Sequence, residues 1–292
     1  MFVNALPKVK LGNSDIEVTR FISGGNPLCG NSHFTPELSQ DMREYFTDKQ
    51  VVEFLHEVQR QGINTLQARG DFHRILYWRE LFRREGGQLH FIVQTASEMF
   101  DIFENIRVIA ATGAQAIYHH GTRTDNFWLD GKIDEVEDYL KCMRDTGVQV
   151  GIASHIPEVL HYVEDKGWDV DFYMTCFYNL NKSKRESTLV DPFNKGTFEE
   201  FHPEDPPKMI EFINRTDKQC IAFKFLAANR QCRTQADVRA AFEHVFANIK
   251  PDDITLAGMF PKYEEQIALN VEHTLAAIAK VESGETTAAA DD

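Results

Sequence analysis

The sequence predicts an α/β protein: a closed barrel of eight parallel strands, each followed by a helix, with a β-hairpin ahead of the first strand. Three observations predict it. Short apolar runs alternate with amphipathic helical stretches along the chain. Eight such runs fall within 292 residues, which suits a (β/α)8 TIM barrel. No GxGxxG follows any run, which disfavours an open doubly wound sheet.

Taken in order, VKLGNSDIEVTR (9–20) reads as the hairpin. The eight strands are FISGG (21–25), INTLQ (63–67), HFIVQT (90–95), AIYHH (116–120), VQVGIAS (148–154), VDFYMTC (170–176), CIAFKF (220–225) and DITLAG (253–258). Between the first two, Thr47 with Gln50 three residues on resembles a capping box, and Val51, Leu55 and Val58 form one helical face. Pro157 suits the first turn of a helix entered directly from a strand. Ile267, Val271, Leu275 and Ile278 form a stripe at helical spacing near the end. Two connections, 26–46 after strand 1 and 177–204 after strand 6, read as long loops, the kind that build sites or lids. The second holds NKSKREST (181–188), the densest basic patch, which can meet an anionic ligand or simply be solvated. The expected organisation is one barrel domain over 1–282 and a disordered acidic tail over 283–292.

With 42% hydrophobic and 26% charged residues the composition is that of a soluble globular protein. No apolar run approaches the ~20 residues that span a bilayer, and the N-terminus lacks the apolar segment of a signal peptide. The five scattered cysteines contain no CxxC, so reduced thiols and a cytoplasmic location are expected. A net charge of −14 argues against nucleic acid or an anionic membrane as partner. The expected partner is a small molecule; a homo-oligomer is compatible with the sequence.

The order of five motifs resembles the aldo/keto reductase superfamily over most of residues 9–280: KLGNSDIEVTRFISGGNP, GINTLQ, GIASHIPEVL, VDFYMTCFYNLN and AGMFPKYEEQIALN. The resemblance implies a TIM barrel whose N-terminal hairpin plugs the barrel bottom. It also implies NADP as cofactor, with Ser154 on the nicotinamide, Tyr178 stacked on its ring and Lys262 on a phosphate. The reductase catalytic set departs from the pattern. Gln67 stands at the Asp position, Phe72 at the Tyr position and Thr95 at the Lys position, and only His119 or His120 keeps the His. His155 replaces an Asn and Thr175 a Gln. Phe has no proton to deliver to a developing alkoxide, so ordinary carbonyl reduction loses its donor.

Polar residues at the C-terminal strand ends of such a barrel share one mouth. Here they are Arg69, Asp71 and His73 (strand 2), Gln94, Thr95 and Glu98 (strand 3), Tyr118 with His119 or His120 (strand 4), His155 (strand 5), Tyr173, Cys176 and Tyr178 (strand 6) and Lys224 (strand 7). Neighbouring residues on a strand point to opposite faces, so His119 and His120 cannot both face the mouth. His73, Glu98, His120 and His155 can form a divalent metal site (Mn, Zn, Fe or Co), with Asp71 as a further carboxylate. Without a metal, His120 or His155 serves as acid and base, with Asp71 as a further catalytic candidate and Arg69 and Lys224 binding an oxyanion. Lys224, in an otherwise apolar strand, is either a base or Schiff-base nucleophile, or a structural partner of a barrel carboxylate. Arg230 can anchor a phosphate or carboxylate. Phe72, Trp128, Tyr173 and Tyr178, with Gln94 beside them, suggest a sugar-like substrate.

The leading expectation is therefore a non-redox enzyme: a lyase, isomerase or epimerase acting on a carbonyl or polyhydroxy compound by acid/base or metal-assisted proton abstraction. The alternatives are an NADP-dependent oxidoreductase and a catalytically inactive nucleotide-binding or regulatory protein.

Overall fold

Residues Lys8–Lys10 (β1) and Glu17–Thr19 (β2) pair antiparallel with Val9 opposite Val18. In the turn between them Gly12 has φ +54, and a Cβ there would lie 2.7 Å from Gln149 Oε1 and 2.8 Å from Asp171 Cβ. This close approach seats the hairpin on the barrel. The Gly12 amide donates to Gln219 Oε1 at 2.9 Å, and the Asn13 amide donates to Gln149 Oε1 at 2.9 Å. Gln149 and Gln219 open their strands, so the hairpin closes the N-terminal end and leaves the other end as the mouth.

The computed structural model describes residues 5–70, 73–96, 99–185 and 199–284, with His73 described by its backbone alone. Eight parallel strands form a closed barrel: β3 (Phe21–Gly24), β4 (Thr65–Arg69), β5 (His90–Gln94), β6 (Ala116–His119), β7 (Gln149–Ser154), β8 (Phe172–Cys176), β9 (Gln219–Phe223) and β10 (Ile254–Gly258). Each pairs with its neighbour in sequence, and β10 closes onto β3 with Leu256 opposite Ile22. The fold is the (β/α)8 barrel that the alternation predicts, with the strands within two residues of the expected bounds at either end.

The strand pleat separates two cores. Ile22, Ile92, Tyr118, Phe172, Met174 and Ile221 fill the barrel, joined by Leu11 and Val18 of the hairpin. Residues of the other parity, such as Val93, Ile117, Ile152 and Tyr173, pack outward against the helices. Those helices are α1 (Pro36–Tyr45), α2 (Asp48–Arg60), α3 (His73–Arg84), α4 (Ile102–Ala111), α5 (Gly121–Leu129), α6 (Val136–Asp145), α7 (Pro157–Asp165), α8 (Asp205–Arg215), α9 (Gln235–Asn248) and α10 (Gln266–Glu282). Thr47 caps α2 by accepting the Gln50 amide, and α7 begins at Pro157. No helix among the described residues is long and apolar enough to cross a membrane.

Segment 26–46 is not the open loop expected from sequence. It contains a short 3-10 turn at Pro27–Cys29 and then α1, which Thr35 caps by accepting the Leu38 amide. Only Met42 of α1 is fully buried, so its apolar stripe is too thin to register as a helical period. The tail expected over 283–292 falls outside the described residues beyond Gly284.

Candidate active site

The ends of β4 to β7 and of β9 meet at the mouth over a cavity of about 70 Å³, lined among others by Arg69, Tyr118, His120, His155, Arg185 and Lys224. Its floor is a hydrogen-bonded chain. Gln67 Nε2 donates to Tyr118 Oη at 2.7 Å, and Tyr118 Oη donates to Gln94 Oε1 at 3.2 Å. Burial raises the Tyr118 pKa, so the phenol keeps its proton.

The pleat decides between the adjacent histidines. His119 points outward, its Nδ1 2.7 Å from Thr124 Oγ1 and its ring stacked on Tyr139 at 5.3 Å. Burial pushes its pKa down to about 3. His120 lines the cavity and caps α5, its Nδ1 accepting the Arg123 amide at 3.3 Å.

His155 follows β7 and is backed by a carboxylate. Its Nδ1 lies 2.7 Å from Asp125 Oδ2, and both side chains are buried. Asp125, from α5, also accepts the Ser154 hydroxyl at 2.5 Å and the His155 amide at 3.3 Å. With Nδ1–H directed at Asp125, Nε2 is the acceptor nitrogen, 3.5 Å from Arg185 Nη2. Burial lowers the His155 pKa while Asp125 opposes the shift, which leaves a neutral imidazole at pH 7. Gly121 makes room for this ring, since a Cβ there would sit 3.2 Å from His155 Cε1.

Across the Arg185 guanidinium from His155, Glu199 gathers three groups. It lies 2.9 Å from His33 Nδ1, 2.7 Å from Arg185 Nη1 and 3.3 Å from Lys224 Nζ. The Asn26 amide donates to His33 Nε2 at 3.2 Å, so Nδ1–H is directed at Glu199. Burial works against the Glu199 anion, but the facing groups together hold its pKa well below the usual value. Burial lowers the Lys224 pKa, and Glu199 opposes this. Lys224 adopts φ +60 as it leaves β9, an uncommon backbone for a side chain of its size.

Several side chains expected at the mouth lie elsewhere. Tyr173 faces outward, its hydroxyl donating to Glu164 at 2.5 Å and its ring edge-on to Phe212. Trp128 packs on Tyr162, and Tyr178 packs edge-on against Phe201 at 4.9 Å. Arg230 stacks over Phe201 at 4.1 Å and donates to the carbonyls of His33, Ala227 and Ala228, which braces the loop after β9. Thr95 accepts the His120 amide at 3.1 Å. Asp71, Phe72 and Glu98 lie outside the described residues, as does the His73 side chain.

Asp125 and Glu199 were not singled out from sequence, and Arg185 was seen only as part of a basic patch. Asp125 had one readable signal: GTRTDN presents no apolar residue ahead of Phe127, so the buried face of α5 had to be polar. Among the described residues no three His, Cys, Asp or Glu side chains group as metal ligands. Two of the four expected ligands, His120 and His155, do share the cavity. Two of the residues that the reductase resemblance assigns to NADP have protein partners. The Ser154 hydroxyl is turned to Asp125 on the outer face, and Lys262 is ion-paired with Asp41.

The fold and this mouth define an eight-stranded α/β barrel with a buried carboxylate–imidazole pair beside clustered cations. No known family profile matches the chain, and no curated protein matches it in sequence. Solved structures that resemble it include a truncated 3-deoxy-D-arabino-heptulosonate 7-phosphate synthase from Thermotoga maritima, at 12% identity and TM-score 0.52 over 97% of this chain and 93% of that one. They also include a glycerol dehydrogenase from Gluconobacter oxydans, at 11% identity and TM-score 0.52 over 98% of each chain. Two such different activities at equal likeness show the shared barrel and nothing narrower.

Proposed function

We propose that the chain is a non-redox enzyme, a lyase, isomerase or epimerase, that moves a proton on a small carbonyl or polyhydroxy, sugar-like substrate. The observation that carries this is the 2.7 Å contact between Asp125 and His155 Nδ1, which directs the acceptor Nε2 toward the cavity. His155 takes a proton from the carbon next to the carbonyl, the C–H electron pair becomes the C=C bond of an enolate, and the carbonyl π pair moves onto the oxygen. Arg69 and Lys224 line the same cavity and stabilise that oxyanion. The proton returns to the same carbon on the opposite face in an epimerase, or to the former carbonyl carbon as the adjacent hydroxyl proton passes to the former carbonyl oxygen in an isomerase, from protonated His155 or from His120. In a lyase the enolate instead expels a β-hydroxyl, which leaves as water with that proton. Asp125 steadies the imidazolium between the two steps.

The metal-free form is favoured over the metal-assisted one by Arg185, whose positive charge 3.5 Å from Nε2 repels a divalent cation but not a neutral substrate. In a metal-assisted form, His120 and His155 would be the ligands among the described residues, and the ion would supply Lewis-acid polarisation of the carbonyl.

The test is hydrogen exchange followed by NMR in D2O, with dihydroxyacetone, hydroxypyruvate and short aldoses as substrates. Deuterium entering next to the carbonyl in the wild type and lost in His155→Ala supports the proposal. Substrate-dependent oxidation of NADPH with no exchange overturns it in favour of an oxidoreductase. Tight NADPH binding with neither activity favours a nucleotide-binding protein.

A further inference from the structure

A second cavity of about 360 Å³ opens off the first, and the two share Asn31, His33, Tyr118, Phe223 and Lys224 in their walls. It runs outward between α1 and the segments that follow β9 and β10. This volume lies within the roughly 300–1,000 Å³ of small-molecule sites, whereas the inner pocket holds only a few atoms.

The chemistry of its walls differs from that of the inner pocket. Leu38 and Met42 of α1 line it together with Phe225, Leu226, Leu256 and Phe260, and the other half of the wall is polar but mostly uncharged, chiefly amides such as Gln67, Asn229, Gln235 and Asn270, whereas Arg69 and Arg185 line only the inner pocket. Among the described residues Lys224 is the one cation in its walls, at the inner end and paired with Glu199, while Glu264 lies on the lining as an anion. Lys262, close in sequence, is ion-paired with Asp41 of α1, and Tyr263 donates to the same carboxylate at 2.7 Å. Those contacts tie α1 to the segment after β10. Among the described residues, the cations at this groove, Lys224 and Lys262, are thus both already paired with a carboxylate, which disfavours a dinucleotide's phosphates here.

We infer that this groove holds an uncharged tail, an aryl or alkyl group that can also carry hydrogen-bonding atoms, on the substrate whose carbonyl head reacts in the inner pocket. The inference rests on the proton-transfer reading for the head, while the tail assignment follows from the groove itself. A ligand spanning both cavities places polar atoms among Arg69, His155 and Lys224 and buries apolar surface against Leu38 and Phe260.

The test uses the full chain and a neutral apolar fluorophore, N-phenyl-1-naphthylamine. One-site saturable binding is expected, weakened at least tenfold in Leu38→Trp, which fills the groove from α1. Cys232 lines the same groove, so in the unmodified protein the probe should slow its alkylation by N-ethylmaleimide several-fold, a readout independent of any variant's folding. Unsaturable probe fluorescence, an unprotected Cys232, or stoichiometric displacement of the probe by NADPH overturns the assignment. None of these readouts requires turnover. Probe binding without hydrogen exchange supports the groove and removes the catalytic reading; exchange without probe binding does the reverse.

Discussion

Asp125 Oδ2 stands 2.7 Å from Nδ1 of His155, and both side chains are buried where α5 meets the end of β7. A buried carboxylate so placed fixes the imidazole tautomer and stabilises its charged form.

Asp125→Asn keeps the shape but removes the charge, so hydrogen exchange should fall about 10²–10⁴-fold with little change in the melting curve. His155→Ala should lose at least as much. Equal rates in wild type and Asp125→Asn would remove the dyad from the mechanism.

The pH profile tests the same pair. The base works as neutral imidazole, so exchange should fall as pH drops through a His155 pKa that burial places below 6.5. Asp125 raises that pKa, so Asp125→Asn should move the acid limb lower still. An acid limb above pH 6.5, or one unmoved by the substitution, contradicts the assignment.

His119 makes a separate prediction about stability. It is buried neutral, with a folded pKa of about 3 against an unfolded 6.5. Between these values the unfolded chain binds the extra proton, so stability is intact above pH 6.5 and is lost as pH falls toward 3. The full loss is on the order of 5 kcal/mol from the 1.36 kcal/mol that each pH unit carries. Urea midpoints from pH 7.5 to 4.5 should fall more steeply in wild type than in His119→Gln; parallel curves reject the prediction.

Glu199 is the shared partner of Arg185 and Lys224, all three side chains being nearly inaccessible. Glu199→Gln leaves two buried cations without their anion and should cost about 3–5 kcal/mol. Removing Lys224 as well, as Met, should recover part of that loss. Strict additivity in the double-mutant cycle would show that the pair is not coupled.

Much of the architecture was legible because it is written at short range. Val51, Leu55 and Val58 repeat at helical spacing and are buried in α2, while the alternation through Ile117 and Tyr118 sorts residues between the outer and inner cores. Helix α1 escaped because one buried Met42 makes no period. Within the site, Arg69, Gln94, His120, His155 and Lys224 line the inner pocket as strand-end position suggested. Tyr173 does not, because on β8 it has the outward parity.

By itself, the sequence determined the order of strands and helices and which residues stand at the strand ends, because periodicity and capping act within a few residues of the chain. The tertiary structure alone decided which charges meet. Asp125 reaches His155 across 30 residues, His33 reaches Glu199 across 166, and Ser154 turns away from the mouth toward Asp125. Such pairings depend on distance through a closed barrel and on the cost of leaving a buried charge alone, and no local pattern in the chain records either.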